Sequence, residues 1–406
     1  MNTALKKARI LLPTRDVDLS KWAVVACDQF TSQPSYWNRV AEIVGDAPST
    51  LKLTLPEAML SESAQRIPMI QAAMRDYLYG GTLEEAVDGF VLVERTTPSG
   101  VRPGLVVALD LEQYDYSDHS KSIIRATEGT VASRVPARAA IRSGALLEAP
   151  HVMMLIDDPH RTVIEPLYAR RDRLSKLYDF DLMLDGGHLR GWSVEGADAD
   201  KVFEAVDALA QNCGGLLYAV GDGNHSLAAA KQCWCQLRET LTPDQREDHP
   251  ARYAMVELVN LGCPALKFEP IHRVIYNVNF VELTSGLQRF LRQHGVEDAP
   301  GEDLIAFNRD ARMTFRSVQY PLPLLQRYLD DYIGTHPEAE IDYIHGEAEL
   351  REAVASKPDT MGFLLRAFDK SELFGAIRRW GVLPRKAFSM GTAREKRYYM
   401  ETRRIL

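Results

Sequence analysis

Residues 216–241 constrain the fold more than any other part of this sequence. The segment begins with a short apolar run, residues 216–220, which stops at Gly221 as a buried strand does where the chain turns. Beyond it, apolar residues recur at steps of three and four, which is one face of a helix: Leu227, Ala230, Trp234, Leu237 and Leu241. The segment therefore predicts a strand, a short polar loop and a helix. Such a helix start attracts anions, because its first N–H groups have no partner within the helix.

The loop residues Asp222, Gly223, Asn224, His225 and Ser226 allow two interpretations. Asp, Asn and Ser are common helix N-cap residues, and Gly permits a sharp turn, so a purely structural role explains four of the five. The imidazole of the fifth residue is not needed for a turn. It makes the loop a candidate site for binding or catalysis.

A near copy of the loop, Asp185-Gly186-Gly187-His188, provides an internal comparison. It is followed by the alternating pattern LRGWSV, which predicts a strand and not a helix. Without a helix start behind it, this copy has no anion-binding geometry. We therefore predict a hairpin turn there.

Strand patterns alternate with helical patterns along the rest of the chain, which predicts a mixed α/β (α+β) fold. For a chain of 406 residues we predict two domains, 1–280 carrying the loop and 281–406 forming a C-terminal α+β domain. The polar segment 296–313 is the best candidate for a linker.

Composition excludes several classes of protein. The chain is 46% hydrophobic and 26% charged, as in ordinary globular proteins, and no segment approaches the ~20 apolar residues of a membrane span. The first residues contain no long apolar region typical of a signal peptide, so we expect a cytoplasmic protein without a membrane partner. The formal net charge of −8 disfavours nucleic-acid binding.

Positive charge gathers locally in residues 121–142. This segment contains five basic residues against the single acid Glu128, a net of +4: Lys121, Arg125, Arg134, Arg138 and Arg142. The segment is either a solvated basic face or a set of guanidinium groups that hold a phosphate or carboxylate. In the second case Glu128 is a candidate general base or an ion-pair partner of these groups.

Two later positions add candidate anion ligands. His272 and Arg273 are adjacent in a strand-like run, so their side chains are expected on opposite faces of a sheet. Lys386 follows a helix stop and could reach an anion, although a surface lysine is the commoner explanation.

Several motifs together resemble a known family. ACDQFTSQP, DAPSTLKLTLPE, RATEGT, LLYAVGDGNHSLAAAK, FEPIHRVI, IDYIHG and GVLPRKAF occur in this order in the bacterial and archaeal domain-of-unknown-function family numbered 1015. The family motif Asp-Gly-His-His-Arg is similar to that of ParB-like proteins, a group that includes sulfiredoxin and kinases of free serine. The resemblance implies a ParB-like nucleotide-binding core with large insertions, which holds phosphate at the start of a helix.

Carried over to this sequence, the resemblance matches Asp222, Gly223 and His225, whereas Asn224 and Ser226 stand where His and Arg are usual. It implies that Asp222 binds Mg²⁺ or polarises the acceptor, and that His225 and the loop hold a phosphate. Arg125 or Arg134 would replace the missing arginine. The first hypothesis is a phosphotransferase or hydrolase that uses a nucleotide (ATP, ADP or CTP) and acts on a small molecule. The alternative is a non-catalytic nucleotide- or metabolite-binding protein, and a ParB-like nucleic-acid-associated protein is the third.

Overall fold

The computed structural model describes residues 2–26, 30, 33–130, 135–296, 303–316 and 320–406. These residues form mixed sheets together with α-helices, which confirms the predicted mixed α/β class. They divide into two compact units. Unit 1 comprises Met1–Lys267, Ile377–Gly381 and Met390–Leu406, and unit 2 comprises Phe268–Ala376 and Val382–Ser389.

The elements are numbered in chain order. The strands are β1 (Leu5–Lys6), β2 (Ala8–Pro13), β3 (Val24–Val25), β4 (Leu83–Thr97), β5 (Gly100–Asp110), β6 (Tyr114–Asp115), β7 (Ile124–Ala126), β8 (Leu147–Glu148), β9 (Met153–Ile156), β10 (Lys176–Asp181), β11 (His188–Val194), β12 (Tyr218–Asp222), β13 (Tyr253–Asn260), β14 (Phe268–Tyr276), β15 (Leu304–Phe307), β16 (Arg312–Phe315), β17 (Glu340–His345), β18 (Met361–Leu365), β19 (Phe388–Met390), β20 (Tyr398–Tyr399) and β21 (Thr402–Arg404). The α-helices are α1 (Leu19–Trp22), α2 (Pro34–Val44), α3 (Ser63–Tyr79), α4 (Val135–Arg142), α5 (Glu165–Ala169), α6 (Gly196–Gln211), α7 (Asn224–Leu237), α8 (Pro243–Glu247), α9 (Phe280–Gln293), α10 (Leu322–Thr335), α11 (Glu347–Ser356) and α12 (Leu373–Trp380).

The main sheet of unit 1 has the strand order β6-β7-β12-β9-β13-β5-β4-β2-β21-β8. Its central strands are buried on both faces, because alternate residues of β4 enter different cores. Phe90 and Leu92 pack with the cluster that includes α6 and α7, whereas Val91 and Val93 pack with the cluster that includes α2 and α3. Burial of both faces explains why these strands appear in the sequence as continuous apolar runs.

The predicted strand, loop and helix at 216–241 are confirmed. β12 runs from Tyr218 to Asp222, and α7 follows directly at Asn224. β12 lies parallel to β7 and antiparallel to β9, with an irregularity in the β9 pairing between Val220 and Asp222. The loop therefore begins at the carboxyl end of β12, which places it at one edge of the sheet.

The last residues of the chain belong to unit 1. β20 pairs with β3, and β21 pairs with both β2 and β8. These pairings join residues separated by most of the chain, so periodicity in the sequence could not reveal them. The prediction placed a single boundary at 280/281, whereas the compact units divide at Lys267 and Phe268 and return 377–381 and 390–406 to unit 1.

Unit 2 contains a sheet with the order β16-β15-β18-β14-β17, to which β19 adds beside β14. Val274 of β14 packs with Leu350 and Val354 of α11. The linker predicted at 296–313 is wrong from residue 304 onward. In this sheet β15 begins at Leu304, and its partner β16 begins at Arg312. Its residues 297–302 lie outside the described residues. The apolar run Leu304–Phe307 was too short to stand out within its polar surroundings.

The near copy of the loop forms a hairpin turn between β10 and β11, as predicted. His188 closes it, with Nδ1 at 2.6 Å from an oxygen of Asp181 and Nε2 at 2.7 Å from an oxygen of Asp179. Loss of hydration lowers the pKa of His188, but the hydrogen bonds to Asp181 and Asp179 outweigh it, so the pKa is raised above its ordinary value. The near copy is thus a structural turn held by an imidazole.

This imidazole should make part of the stability of unit 1 depend on pH. Because its pKa is raised on folding, its contribution is fully present below the unfolded value of about 6.5 and is lost as pH rises through the folded value. We expect His188→Gln to lower Tm more at pH 5.5 than at pH 8, and Asp181→Asn to reduce this difference. Thermal unfolding at both pH values measures it, and an equal loss at both would contradict the assignment.

Within the described ranges, no helix combines the length and the apolar character needed to cross a bilayer.

Candidate functional site

The loop after β12 depends on a left-handed glycine. Gly223 has φ +86° and ψ 24°, and it occupies the N-cap position of α7, where it has no side chain with which to cap the helix. A Cβ atom at this position would lie 3.1 Å from both Cα and Cγ2 of Val152. The sequence therefore needs glycine here for two reasons, and this N-cap residue supplies no side chain to the positive end of a helix of 14 residues.

A buried lysine lies against the carboxylate of this loop. Nζ of Lys396 is 3.1 Å from Oδ2 of Asp222, and the lysine is 6% exposed. The other carboxylate oxygen, Oδ1, accepts the N–H of Gly223 at 2.9 Å. An ammonium group is costly to bury unless it is paired, so Asp222 holds the Lys396 charge at the start of α7.

Ser226 contacts a histidine from another part of unit 1. Its Oγ lies 3.0 Å from Nε2 of His151, which precedes β9. The imidazole in turn meets the ring of Tyr399 edge-on, with 5.4 Å between ring centroids. Both Ser226 and His151 are half-buried, so a ligand in the loop can approach them.

Tyr399 lies near two charged groups of the site. Loss of hydration raises the pKa of its hydroxyl far above the ordinary value; the positive charge of Arg138 opposes this, and the carboxylate of Asp222 adds to it. Both charges are therefore close enough to Tyr399 to act on it. This brings Arg138, one of the predicted basic residues, to the same region as Asp222.

Arg138 lies on α4, which packs directly on α7. Val135 and Ala139 of α4 contact Ala228 and Ala229 of α7, and small residues allow the two helices a close approach. Nη2 of Arg138 lies 3.1 Å from Oε2 of Glu57. The ion pair and the helix packing both fix Arg138 beside the first turns of α7.

Glu128 lies at the same sheet edge as the loop. β7 runs parallel to β12 with Ala126 opposite Val220, and the hydroxyl of Thr127 donates to the carbonyl of Val220 at 2.6 Å. Glu128 therefore follows β7 at the level where Asp222 ends β12, and it is half-buried. Glu128, the candidate general base, thus follows a strand adjacent to the one that precedes the loop, and its role stays a prediction.

Two polar atoms of this region are buried without a hydrogen-bond partner among the described residues. They are Oδ1 of Asn224, in the first turn of α7, and Oγ1 of Thr130, in the segment after Glu128. A buried polar oxygen without a partner is costly, and in native proteins it commonly marks a position completed by water or a ligand. Both atoms belong to the two segments that meet at the carboxyl ends of β7 and β12.

Arg125 points away from this edge of the sheet. Its Nε donates to the carbonyl of Ser122 at 2.7 Å and its Nη2 to the carbonyl of Gly215 at 2.7 Å. Both acceptors precede the strands β7 and β12, whereas the loop follows β12. Arg125 is buried and ties two backbone segments together at the amino ends of these strands. Arg134, the other predicted clamp, lies outside the described residues.

The remaining predicted ligands belong to unit 2. Nδ1 of His272 accepts the N–H of Leu365 at 3.2 Å, and burial lowers the pKa of the imidazole. Arg273 is fully buried and donates to the carbonyls of Ile271 and Arg385 and to Gln326. Both side chains thus support the structure of unit 2. Lys386 has a left-handed backbone, with φ +55°, in the segment before β19.

The residues around Asp222 do not fit a resident Mg²⁺ ion. Among the described residues, no group of three or more His, Cys, Asp or Glu side chains is placed to hold a metal. The ammonium of Lys396 already neutralises one oxygen of the Asp222 carboxylate, and a backbone N–H binds the other. The predicted role of Asp222 as a metal ligand therefore has no support in its surroundings.

Three residues of this region were not predicted from the sequence. Lys396 and Tyr399 lie near the end of the chain, and His151 lies just before β9. Each is brought to the loop by sheet pairing between distant segments, so no local spacing could identify them. The only signal was composition, because the segment REKRYYMETRR is unusually rich in charge for one that the fold buries.

Comparisons with known proteins place the sequence but not its activity. A family model described as "Protein of unknown function (DUF1015)" matches residues 11–400. No curated protein matches the chain.

Similar solved structures include a free serine kinase in complex with AMP (11% identity, 73% of this chain and 90% of that chain covered, TM-score 0.40). They also include a conserved hypothetical protein from Pyrococcus furiosus (10%, 73% and 90%, TM-score 0.36) and SbnI with a C-terminal truncation from Staphylococcus aureus (8%, 73% and 81%, TM-score 0.38).

Proposed function

The chain belongs to the DUF1015 family of proteins of unknown function, and we propose that unit 1 binds the phosphate groups of a nucleotide at the start of α7. Unit 1 would use these groups in phosphotransfer to a small molecule or in hydrolysis. The proposal rests on the residues that meet at this helix start.

The buried ammonium of Lys396 is the observation that carries the proposal. It lies 3.1 Å from Asp222 at a helix start whose N-cap residue is a glycine. The helix dipole contributes roughly half a positive charge at this end, beside an ammonium group whose own charge is balanced by Asp222. An ammonium group has three N–H donors and can contact both a carboxylate and a phosphate oxygen. A phosphate is therefore the ligand best matched to this part of the loop.

Lys396 also accounts for the altered family motif. Ser226 stands where the family resemblance implies a phosphate-holding arginine, and a serine carries no charge. In our proposal Lys396 supplies that charge from the end of the chain, and Arg138 supplies a second one from α4. Arg125 is given no part, because its guanidinium donates to backbone carbonyls at the opposite ends of β7 and β12.

The remaining polar groups are assigned roles by their position. Oδ1 of Asn224, which has no hydrogen-bond partner among the described residues, would accept a hydrogen bond from the ligand or from a bound water. His225 lies in the first turn of α7 and would contact a phosphate oxygen. Glu128, at the neighbouring strand end, would accept a proton from the small-molecule acceptor. No step is assigned to a metal ion.

Nucleotide binding without chemistry is the second candidate. It is favoured by the placement of Arg125, because none of the described contacts gives the loop a two-pronged guanidinium of the kind that commonly stabilises phosphoryl transfer. Phosphorus NMR of ATP, CTP and a mixture of small-molecule acceptors separates the two candidates. Turnover supports the enzyme, whereas an unchanged spectrum in the presence of binding supports the binding protein.

Replacing Lys396 with Met should remove most of the stabilisation by nucleotide. At a ligand concentration of 100 times Kd, binding stabilises a protein by about 2.7 kcal/mol, which corresponds to an increase in Tm of roughly 4 °C for a large chain. We expect such a shift in the wild type with ATP, ADP or CTP, tested with and without magnesium, and a loss of most of it in Lys396→Met. Differential scanning fluorimetry measures both.

Lys7→Met is the matched control. Nζ of Lys7 also lies 3.1 Å from an aspartate oxygen, that of Asp200, but on the exposed surface. This variant should keep the full nucleotide-dependent shift. The proposal fails if none of the three nucleotides changes the Tm of the wild type, or if Lys396→Met and Lys7→Met respond alike.

A further inference from the structure

The contact between Ser226 and His151 differs from two local serine contacts in unit 1. Oγ of Ser226 lies 3.0 Å from Nε2 of an imidazole 75 positions away in the sequence. By contrast, Ser117 contacts the carboxylate of Asp115, and Ser20 that of Asp18, each two residues earlier in the chain. Those local contacts stabilise turns. The contact of Ser226 requires two separate segments to be brought together by the sheet.

The geometry of this pair is that of a nucleophile and its base. A serine hydroxyl is a weak nucleophile unless a neighbouring group accepts its proton, and an imidazole within about 2.6–3.2 Å is the usual acceptor. The edge-on ring of Tyr399 restricts the orientation of the imidazole, with 5.4 Å between centroids. Both members of the pair are half-buried, so a reacting group can reach the hydroxyl.

The charges around the pair define what the hydroxyl would attack. Ser226 lies in the first turn of α7, two residues after Asn224 and four after Asp222, whose carboxylate holds the buried ammonium of Lys396. The positive end of the helix, together with the N–H donors of the Lys396 ammonium that Asp222 balances, stabilises an anionic group at this place. A transferring phosphoryl group is anionic, which makes it a better match than a neutral acyl group.

We propose that Ser226 is a phosphoryl acceptor within the chain itself, with His151 as its general base. This step rests on the nucleotide binding proposed above, which supplies a nucleoside triphosphate as the co-reactant. Oγ of Ser226 attacks the terminal phosphorus, and its proton passes to Nε2 of His151. A new P–O bond forms to Oγ, the bond to the leaving nucleoside diphosphate breaks, and the diphosphate departs with the bonding electrons. Ser226 becomes a phosphoserine.

The serine that replaces the family arginine thereby gains a chemical role. A phosphoserine at the start of α7 carries between one and two negative charges at neutral pH, and it would occupy the place of a ligand phosphate. The phosphoryl group can then pass to water or to a small-molecule acceptor. This route divides the overall transfer into two steps, of which the first needs no second substrate.

Mass spectrometry of the intact protein and of its proteolytic peptides tests the proposal. After incubation with ATP or CTP, we expect a mass increase of about 80 Da, the mass of one phosphoryl group, on the peptide that contains Ser226. Ser226→Ala should show none. Ser117→Ala, which removes a hydroxyl bonded to a carboxylate outside the site, should be labelled like the wild type.

Substitution of the base distinguishes catalysis from positioning. His151→Gln keeps a polar group beside Ser226 but cannot take up the proton, so the labelling rate should fall by roughly 100-fold or more. In the wild type the rate should rise with pH as the imidazole loses its proton. A rate that is independent of pH, or unchanged in His151→Gln, would overturn the assigned role of His151.

Nucleotide-dependent stabilisation of Ser226→Ala separates this proposal from the one on which it rests. We expect the variant to keep most of the shift in Tm, because Lys396 and the helix start remain. If the wild type binds nucleotide but gains no mass, or gains it on another residue, Ser226 is not the acceptor and nucleotide binding stands. If neither shift nor label is found, both proposals fail.

Discussion

Replacement of Arg397 with Met is expected to lower the free energy of unfolding by about 3–5 kcal/mol. The guanidinium is almost completely buried and contacts three acceptors: the carboxylates of Glu257 and Glu401 and the carbonyl of Pro150. Within the described part of the chain, Oε1 of Glu257 is already buried without a partner, so loss of Arg397 would leave a buried carboxylate uncompensated. A loss of this size is a large fraction of the roughly 5–15 kcal/mol that stabilises a typical protein.

Equilibrium unfolding in urea measures the loss, and a neighbouring arginine provides the control. Arg394 is mostly exposed and pairs with the exposed Asp185. Arg394→Met should therefore change the free energy of unfolding by no more than about 0.5 kcal/mol. The double variant Arg397→Met with Glu257→Gln should recover part of the loss, because the uncompensated charge has been removed. Equal effects of the two arginine substitutions would contradict the importance of burial.

The same ion pairs hold part of the candidate site in place. Arg397 is adjacent to Lys396, and β20 with Tyr399 follows directly. Glu401 also accepts a hydrogen bond from Tyr178 of β10, so both sides of this short segment are attached to the body of unit 1. We therefore expect Arg397→Met to weaken nucleotide-dependent stabilisation in addition to global stability, even though Arg397 itself is assigned no contact with the ligand.

Local periodicity was sufficient to predict the elements around the loop. The step from an apolar run to a helical period identified β12 and α7, and the alternating pattern after His188 identified β11 as a strand. These predictions succeeded because each element buries a face that its own sequence defines. They also separated the loop from its near copy, which the structure places in a hairpin turn.

The charged partners of the loop could not be predicted in the same way. The basic segment 121–142 was interpreted as one group, yet Arg125 extends to the amino ends of the strands, whereas Arg138 is carried by α4 to the side of α7. Which way a long side chain extends depends on acceptors from distant segments, here Gly215 and Glu57. Lys396 lies at the loop because the strands that follow it, β20 and β21, pair with β3 and β2 near the beginning of the sequence.

Substitution of Gly223 by Ala should lower the free energy of unfolding by about 2–4 kcal/mol, the sum of a backbone cost and a crowding cost. The first part, about 1–2 kcal/mol, comes from the left-handed backbone at φ +86°. The remainder comes from crowding, because the new Cβ would lie 3.1 Å from Cα and Cγ2 of Val152, and backbone atoms of a neighbouring segment yield only with difficulty. Unfolding in urea measures the total.

Two other glycines separate these contributions. Gly81 has a similar φ of +81°, but a Cβ there would meet no atom of the described residues within 4 Å, so Gly81→Ala should show the backbone cost alone. Gly129, next to Glu128, has equally open surroundings among the described residues and lacks a left-handed φ, so Gly129→Ala should be nearly neutral. If Gly223→Ala costs no more than Gly81→Ala, the contact with Val152 is unimportant. A larger cost means that Val152 and Gly223 together fix the angle at which α7 leaves β12, and with it the positions of the loop residues relative to Lys396 and His151.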